Sequence, residues 1–192
     1  GPGERKDLWP EEGEDLCFLT GAWRIFQRVG GHRYSLDDTA TAWYALKAVH
    51  GLVVDRHLDL GCGVGSVLLM VVWGLDPSTC SVGIEAQELS HGLACRSIAY
   101  NGVQTRVRAI HGDIRDALTL PEGAQFDLIT GSPPYIPIGD GVMSEKEQCA
   151  PARFELRGGI EEYCEAAARW LAPGGRFVCC HAAPQRERVM KA

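Results

Sequence analysis

The sequence predicts an α/β fold, a mostly parallel, doubly wound sheet with helices on both faces. Three observations predict it. Short apolar runs that read as strands alternate with helical patterns along the chain, and such alternation implies right-handed crossovers. A glycine-rich turn, Leu58-Asp59-Leu60-Gly61-Cys62-Gly63-Val64-Gly65, joins one of those strands to an apolar helix. Asp59, Glu85, Asp113 and Ser132 all fall at or near strand C-termini, the edge where open α/β sheets hold their ligands.

In chain order, residues 1–20 are expected to be an N-terminal arm, loose and acidic through Glu11-Glu12-Gly13-Glu14-Asp15, with one domain over 21–192. Residues 18–27 read as a short strand pair or hairpin lid. Glycines, then basic and aromatic side chains, then an N-cap signal over 27–38 read as a loop entering a helix. That helix, 38–50, carries Ala42, Ala45, Leu46 and Val49 on one face, and Gly51 stops it. Residues 51–57 have too little pattern for a helix and lead as a strand into the glycine turn. The apolar run 66–73 is a helix closed by Gly74. Then come a strand over 80–85, a helix over 88–100 closed by Asn101-Gly102, and a strand over 106–113. A compact buried strand, 126–131, runs directly into Ser132-Pro133-Pro134-Tyr135, followed by an irregular segment over about 136–157. A helix over 160–171 and a strand over 176–181 follow, and a last helix starts at Pro184.

Composition narrows the chemistry. The net charge of −6 provides no global basic field for nucleic acid, although Arg24, Arg28, His32 and Arg33 form one local basic patch and Arg186, Arg188 and Lys191 another. No apolar run approaches the ~20 residues of a membrane span, and the start has no signal-peptide pattern. The expectation is a cytoplasmic protein without membrane contact. The eight cysteines include no C-x-x-C pair and sit among apolar neighbours, so free buried thiols are expected and a metal site is not.

The glycines at 61, 63 and 65 remove Cβ atoms where the chain turns and where backbone must approach a ligand. The next helix presents its free N–H groups there. A dinucleotide fingerprint needs G-x-G-x-x-G, whereas these glycines are spaced G-x-G-x-G with Ser66 in the last place. An ordinary tight turn is the plain alternative. Glu85 is placed to accept hydrogen bonds from two ribose hydroxyls, or is a solvated strand-end acid. Asp113 could accept an adenine amine, with Ile114 against the base plane, or cap its own turn. The two prolines of Ser132-Pro133-Pro134-Tyr135 cannot continue a central strand. The chain must leave the sheet there, holding a hydroxyl, a carbonyl and a ring in fixed relation.

The D-x-G-x-G-x-G loop and the Ser-Pro-Pro-Tyr corner, in order and with Glu85 and Asp113 between them, resemble motifs I and IV of the class I S-adenosylmethionine (SAM) methyltransferases. More narrowly, the chain is similar to the bacterial tRNA adenine-N6 methyltransferases and their small-domain relatives. The entry segment His32-Arg33-Tyr34-Ser35-Leu36-Asp37 and Trp170-Leu171-Ala172-Pro173-Gly174-Gly175-Arg176 also carry this similarity. The resemblance implies a Rossmann-like sheet and SAM as cofactor, with S-adenosylhomocysteine (SAH) as product. It implies cofactor contacts at Asp59, Gly61, Gly63, Gly65, Glu85, Ala86, Asp113, Ile114 and Ser132, with Tyr34 and Asp37 closing over the methionine end. It implies methyl transfer to an exocyclic amine, foremost N6 of adenine in tRNA or other RNA. Ser132 and the Pro133 carbonyl would hold the amine's N–H groups, Pro134 would fix the corner, and Tyr135 would stack on the planar acceptor.

Two departures from the pattern matter. The relatives carry Asn at the first motif IV position, where this chain has Ser132. The family sheet has seven strands, so a C-terminal strand hairpin is expected to be missing. Either the chain is a piece of a longer one or the edge at 177–181 is covered by another chain, for instance in a homodimer. A glutamine-amide methyltransferase and an inactive SAM-binding scaffold are the alternatives; a nicotinamide oxidoreductase is disfavoured by the glycine spacing.

Overall fold

The computed structural model describes residues 5–137, 139 and 153–192. A hairpin of β1 (Glu14–Phe18) and β2 (Arg24–Arg28) precedes α1 (Leu36–Ala48). The sheet strands and their crossovers follow: β3 (Arg56–Leu60), α2 (Ser66–Gly74), β4 (Cys80–Glu85), α3 (Glu88–Tyr100), β5 (Val107–His111) and β6 (Phe126–Gly131). The chain then forms α4 (Ile160–Trp170), β7 (Leu171–Cys179) and α5 (Arg186–Lys191).

The five sheet strands are all parallel, in the order β5-β4-β3-β6-β7. Succession runs outward from β3 through β4 to β5, then reverses to β6 on the other flank. The switch point therefore lies between β3 and β6, and it opens a crevice at their C-terminal ends. The register lines up what leaves that edge. Leu60 pairs with both Ile84 and Gly131, Glu85 with His111, and Gly131 with Cys179.

Both sheet faces are covered, as a parallel sheet requires. On one face Leu58, Leu60, Val82, Ile84, Phe126 and Ile129 pack against Tyr163, Ala166, Ala167 and Trp170 of α4. On the other, α2 is apolar all round because it is wedged between neighbours. Its Val67, Met70 and Val71 meet Ala42, Ala45 and Val49 around α1, while Leu68, Leu69 and Val72 meet Ile98, Val103 and Val107.

The structure moves several expected boundaries. The acidic arm is not loose where it is described: Glu14 already begins β1, and Arg96 of α3 gathers the arm. Its guanidinium donates to the Asp7 and Trp9 carbonyls and to the Glu14 carboxylate, and lies over the Phe26 ring. Ile25 and Phe26 of the hairpin pack on Leu93 of α3 and on Val64 of the glycine turn. Helix α1 starts at Leu36 because Ser35 is its N-cap, in a capping box with Asp38. Strand β3 starts at Arg56, where the Asp127 carboxylate accepts the N–H groups of Asp55 and Arg56. Most of the expected irregular segment, residues 138 and 140–152 with Cys149, lies outside the described residues. No strand follows β7 among the described residues, and β7 has one sheet neighbour there.

Candidate active site

A cavity of about 720 Å³ opens at the C-terminal edge of the sheet. Its size suits a ligand of a few tens of atoms. The glycine turn forms its floor. Gly61 and Gly63 have φ of +60° and +56°, a left-handed conformation natural only to glycine. Gly61 is also pressed from above, since a Cβ there would collide with the Tyr163 hydroxyl. Gly63 N–H donates to Glu85 Oε2 at 2.9 Å, and Gln87 N–H donates to Glu85 Oε1 at 2.7 Å. Each carboxylate oxygen keeps lone pairs for a cavity ligand. Burial raises the pKa of Glu85 against these two hydrogen bonds.

Beneath the floor lies a buried polar chain on the α2 face of the sheet. Thr130 Oγ1 donates to Asp59 Oδ1 at 2.7 Å. The Thr130 hydroxyl proton is thereby committed, so His57 Nε2, 2.9 Å from the same oxygen, must be the donor to it. His57 Nδ1 then accepts from Ser81 Oγ at 3.3 Å. Burial drives both acid–base groups toward neutrality, His57 down to about 3 and Asp59 up to about 7. Asp59 lines the cavity, and its Oδ2 is buried without a hydrogen-bond partner. A lone acceptor of this kind in a cavity is a seat for a donor, above all a cationic one.

The proline corner forms the opposite wall. Ser132 follows β6 directly, and Ser132, Pro133, Pro134 and Tyr135 all line the cavity. Thr41 Oγ1 donates to the Asp37 carbonyl at 2.8 Å and lies 3.3 Å from Ser132 Oγ. With the Thr41 proton engaged, Ser132 is the donor in that contact, which leaves its oxygen lone pairs as acceptors. Gln185 Nε2 donates to the Tyr135 carbonyl at 2.7 Å, and this ties the corner to the segment after β7.

Of the residues expected from sequence, Tyr34, Asp37, Asp59, Gly61, Gly63, Glu85, Ala86, Ile114 and Ser132–Tyr135 converge on this one cavity. Asp113 and Gly65 do not line it. The Asp113 carboxylate is taken by its own turn, accepting from the Arg115 backbone and guanidinium, which hold its pKa down. Gly65 sits behind the floor as the left-handed N-cap of α2. The Tyr34 hydroxyl donates to the Phe18 carbonyl. Members of both expected basic patches are engaged within the chain. Arg24 stacks on Phe18, Arg33 pairs with Asp15, and Arg188 pairs with Glu155 and Glu161. Sequence reasoning missed the site roles of Thr41, Gln87, Arg153, Arg157, Tyr163, Cys180 and His181, which come from five separate parts of the chain and carry no motif. It placed His32, now a lining residue, in a surface patch.

No family model matches the chain. Curated relatives do. A release factor glutamine methyltransferase of Bordetella pertussis is 29% identical over 91% of this chain and 67% of its own length. A tRNA1(Val) (adenine(37)-N6)-methyltransferase of Bacteroides thetaiotaomicron is 26% identical over 79% of this chain and 60% of its own. The crystal structure of TrmN from Thermus thermophilus superposes with a TM-score of 0.56 at 21% identity, covering 77% of this chain and 40% of that one. Across the first three curated relatives, all release factor glutamine methyltransferases, the chain spans 47% to 67% of their length.

Fold, crevice and relatives together place the chain in the class I SAM-dependent methyltransferases. Its relatives within that class include N-methyltransferases for a protein amide and for a tRNA base. SAM is the cofactor of this class, and the residues present fit it. Asp59 Oδ2 can take an ammonium, Glu85 a ribose diol, and Ala86 and Ile114 the faces of a base. No helix among the described residues is long and apolar enough to cross a membrane.

Proposed function

We propose that this protein methylates a conjugated NH2 group, with N6 of adenine in tRNA or other RNA as its first acceptor. One observation carries the reading: the Ser132-Pro133-Pro134-Tyr135 corner and the Asp59–Glu85 floor line a single cavity. SAM, when bound, supplies an electrophilic methyl group. An exocyclic amine conjugated to its ring is a poor nucleophile, because its lone pair is delocalised. Acceptors on its N–H groups favour a pyramidal nitrogen with a localised lone pair. Ser132 Oγ, its proton turned to Thr41, is such an acceptor, and the Pro133 carbonyl is a second. Tyr135, partly exposed at the cavity, can stack on a planar acceptor, worth about 1–3 kcal/mol per base on aromatic platforms. Positioning and fixed dipoles then lower the barrier. Arg153, Arg157 and His32 along the cavity suit an RNA phosphate and make binding salt-sensitive.

A second reading is favoured by the relatives: the side-chain amide of a protein glutamine presents the same planar, conjugated NH2. The test begins with calorimetric titration with SAM. Tritiated methyl transfer to total RNA and, separately, to total protein follows. Label in RNA supports the first acceptor and label in protein the second. Full transfer by a Ser132→Ala variant would remove the role given to that hydroxyl.

A further inference from the structure

His181 lies two residues beyond Cys179, which pairs with Gly131 at the end of β6. The residue after Gly131 is Ser132, so parallel pairing delivers His181 to the cavity beside the proline corner. Its ring meets Tyr135 edge to face, with centroids 6.1 Å apart at 69°. Both ring nitrogens are buried, and neither has a hydrogen-bond partner. The side chain as a whole is half-buried, but ring nitrogens withdrawn from water without partners are unfavourable unless the site pairs them with a ligand. Among the described residues, no other buried side-chain polar atom shares this state except Asp59 Oδ2, on the cofactor floor. The cavity lining therefore includes two residues with unpartnered polar atoms, one at the floor and one beside the proline corner.

We propose that His181 is the proton acceptor for the nitrogen being methylated. This rests on the reading above and adds to it what Ser132 and Pro133 cannot do, which is to take a proton away. As the nitrogen lone pair forms the new C–N bond, the S–C bonding pair stays on sulfur as a neutral thioether, and the nitrogen becomes cationic. Its N–H bond then breaks, the electron pair returns to nitrogen, and the proton bonds to an imidazole nitrogen of His181. The imidazolium later releases that proton to solvent. A cationic nitrogen of a conjugated amine or amide is far more acidic than an imidazolium, so even a weakly basic imidazole suffices.

The surroundings keep the ring neutral and able to accept. Burial, with Arg188 of α5, lowers its pKa, while the Ala182 backbone and the carboxylates of Glu155 and Glu161 oppose that. Tyr135 is the titratable ring that faces it from the corner. Arg188 also binds both carboxylates, at 2.7 and 2.6 Å, which limits their pull on His181.

The experiment has two arms. In the first, protein labelled with 15N-histidine and saturated with SAH is titrated with millimolar adenosine and, separately, with N-acetylglutamine amide. One of these probes should shift the His181 ring resonances saturably. In the second, His181→Gln and His181→Asn are compared with the unmodified protein for SAM affinity and for the pH profile of kcat, measured at SAM saturating at every pH so that the titration of Asp59 does not enter, on whichever pool takes label. SAM affinity should persist, kcat should fall about a hundredfold, and the acid limb of the profile should vanish. A wall residue of purely structural role would leave that limb in place. If SAH binds and neither probe moves His181, or if the variants keep kcat and the acid limb, the proposal is overturned. If SAH itself does not bind, the reading beneath it falls instead and takes the proposal with it.

Discussion

Titrating the protein with SAM between pH 5.5 and 7.0 tests the cavity floor directly. Asp59 is raised to about 7 by burial, and its Oδ2 has no protein partner. The cofactor's α-ammonium, with a reference pKa of about 7.7–8.0, stays charged throughout this range, so any change in affinity reports the protein. Only the carboxylate attracts the cation. With a pKa of about 7 the ionised fraction rises from roughly 3% at pH 5.5 to about half at pH 7.0. Apparent affinity should therefore tighten roughly fifteenfold over this interval, or about 1.6 kcal/mol. Calorimetry in two buffers of different ionisation enthalpy should show proton release on binding. An Asp59→Asn variant should bind more weakly and lose most of the pH dependence. A flat affinity in the unmodified protein, or an undiminished slope in the variant, would refute the placement of the ammonium at Asp59.

Three further outcomes follow from the same geometry. The raised Asp59 contributes stability that is present below about 3.8 and lost as pH rises through about 7, whereas His57, lowered from 6.5 to about 3, makes the protein less stable as pH falls below 6.5. These opposite slopes nearly cancel between pH 4 and 6.5, so urea unfolding should show that Asp59→Asn gains stability relative to the unmodified protein as pH rises, by up to about 1.4 kcal/mol per pH unit, and that His57→Gln does the reverse. Gly61→Ala should lower the melting temperature and weaken SAM binding, because it adds left-handed strain of about 1–2 kcal/mol to a collision with Tyr163. Adding Tyr163→Phe should recover part of the loss, and a Gly61→Ala protein with unchanged SAM affinity would contradict the close approach. Thr41→Val removes the group that orients the Ser132 hydroxyl, so kcat should fall about three- to tenfold, as for one lost hydrogen bond, while SAM affinity stays within about twofold.

The strand ends were legible because their signals are local. The limits of β4 and α3 follow from a short run ending at Glu85 and a helical pattern closed by Asn101-Gly102, and backbone propensity acts over just such distances. The hairpin register and the arm were not legible. Glu14 becomes a strand residue because Arg96, far along the chain, gathers its carboxylate. Asp113 shows the reverse. Its position at a strand end fits an adenine contact, yet the nearby Arg115 captures it, a local ion pair that strand counting does not see.

From the sequence alone come the α/β class, the glycine floor and the proline corner, because each is written in contiguous residues whose backbone chemistry is fixed by Gly and Pro. Tertiary structure alone decided which side chains face one another across the crevice. Thr41 orients Ser132 from α1, Tyr163 descends on Gly61 from α4, and His181 arrives beside Tyr135 from β7. The physical reason is that a parallel sheet brings the ends of strands distant in sequence to one edge. Hydrogen bonding and burial there depend on neighbours that no local pattern encodes.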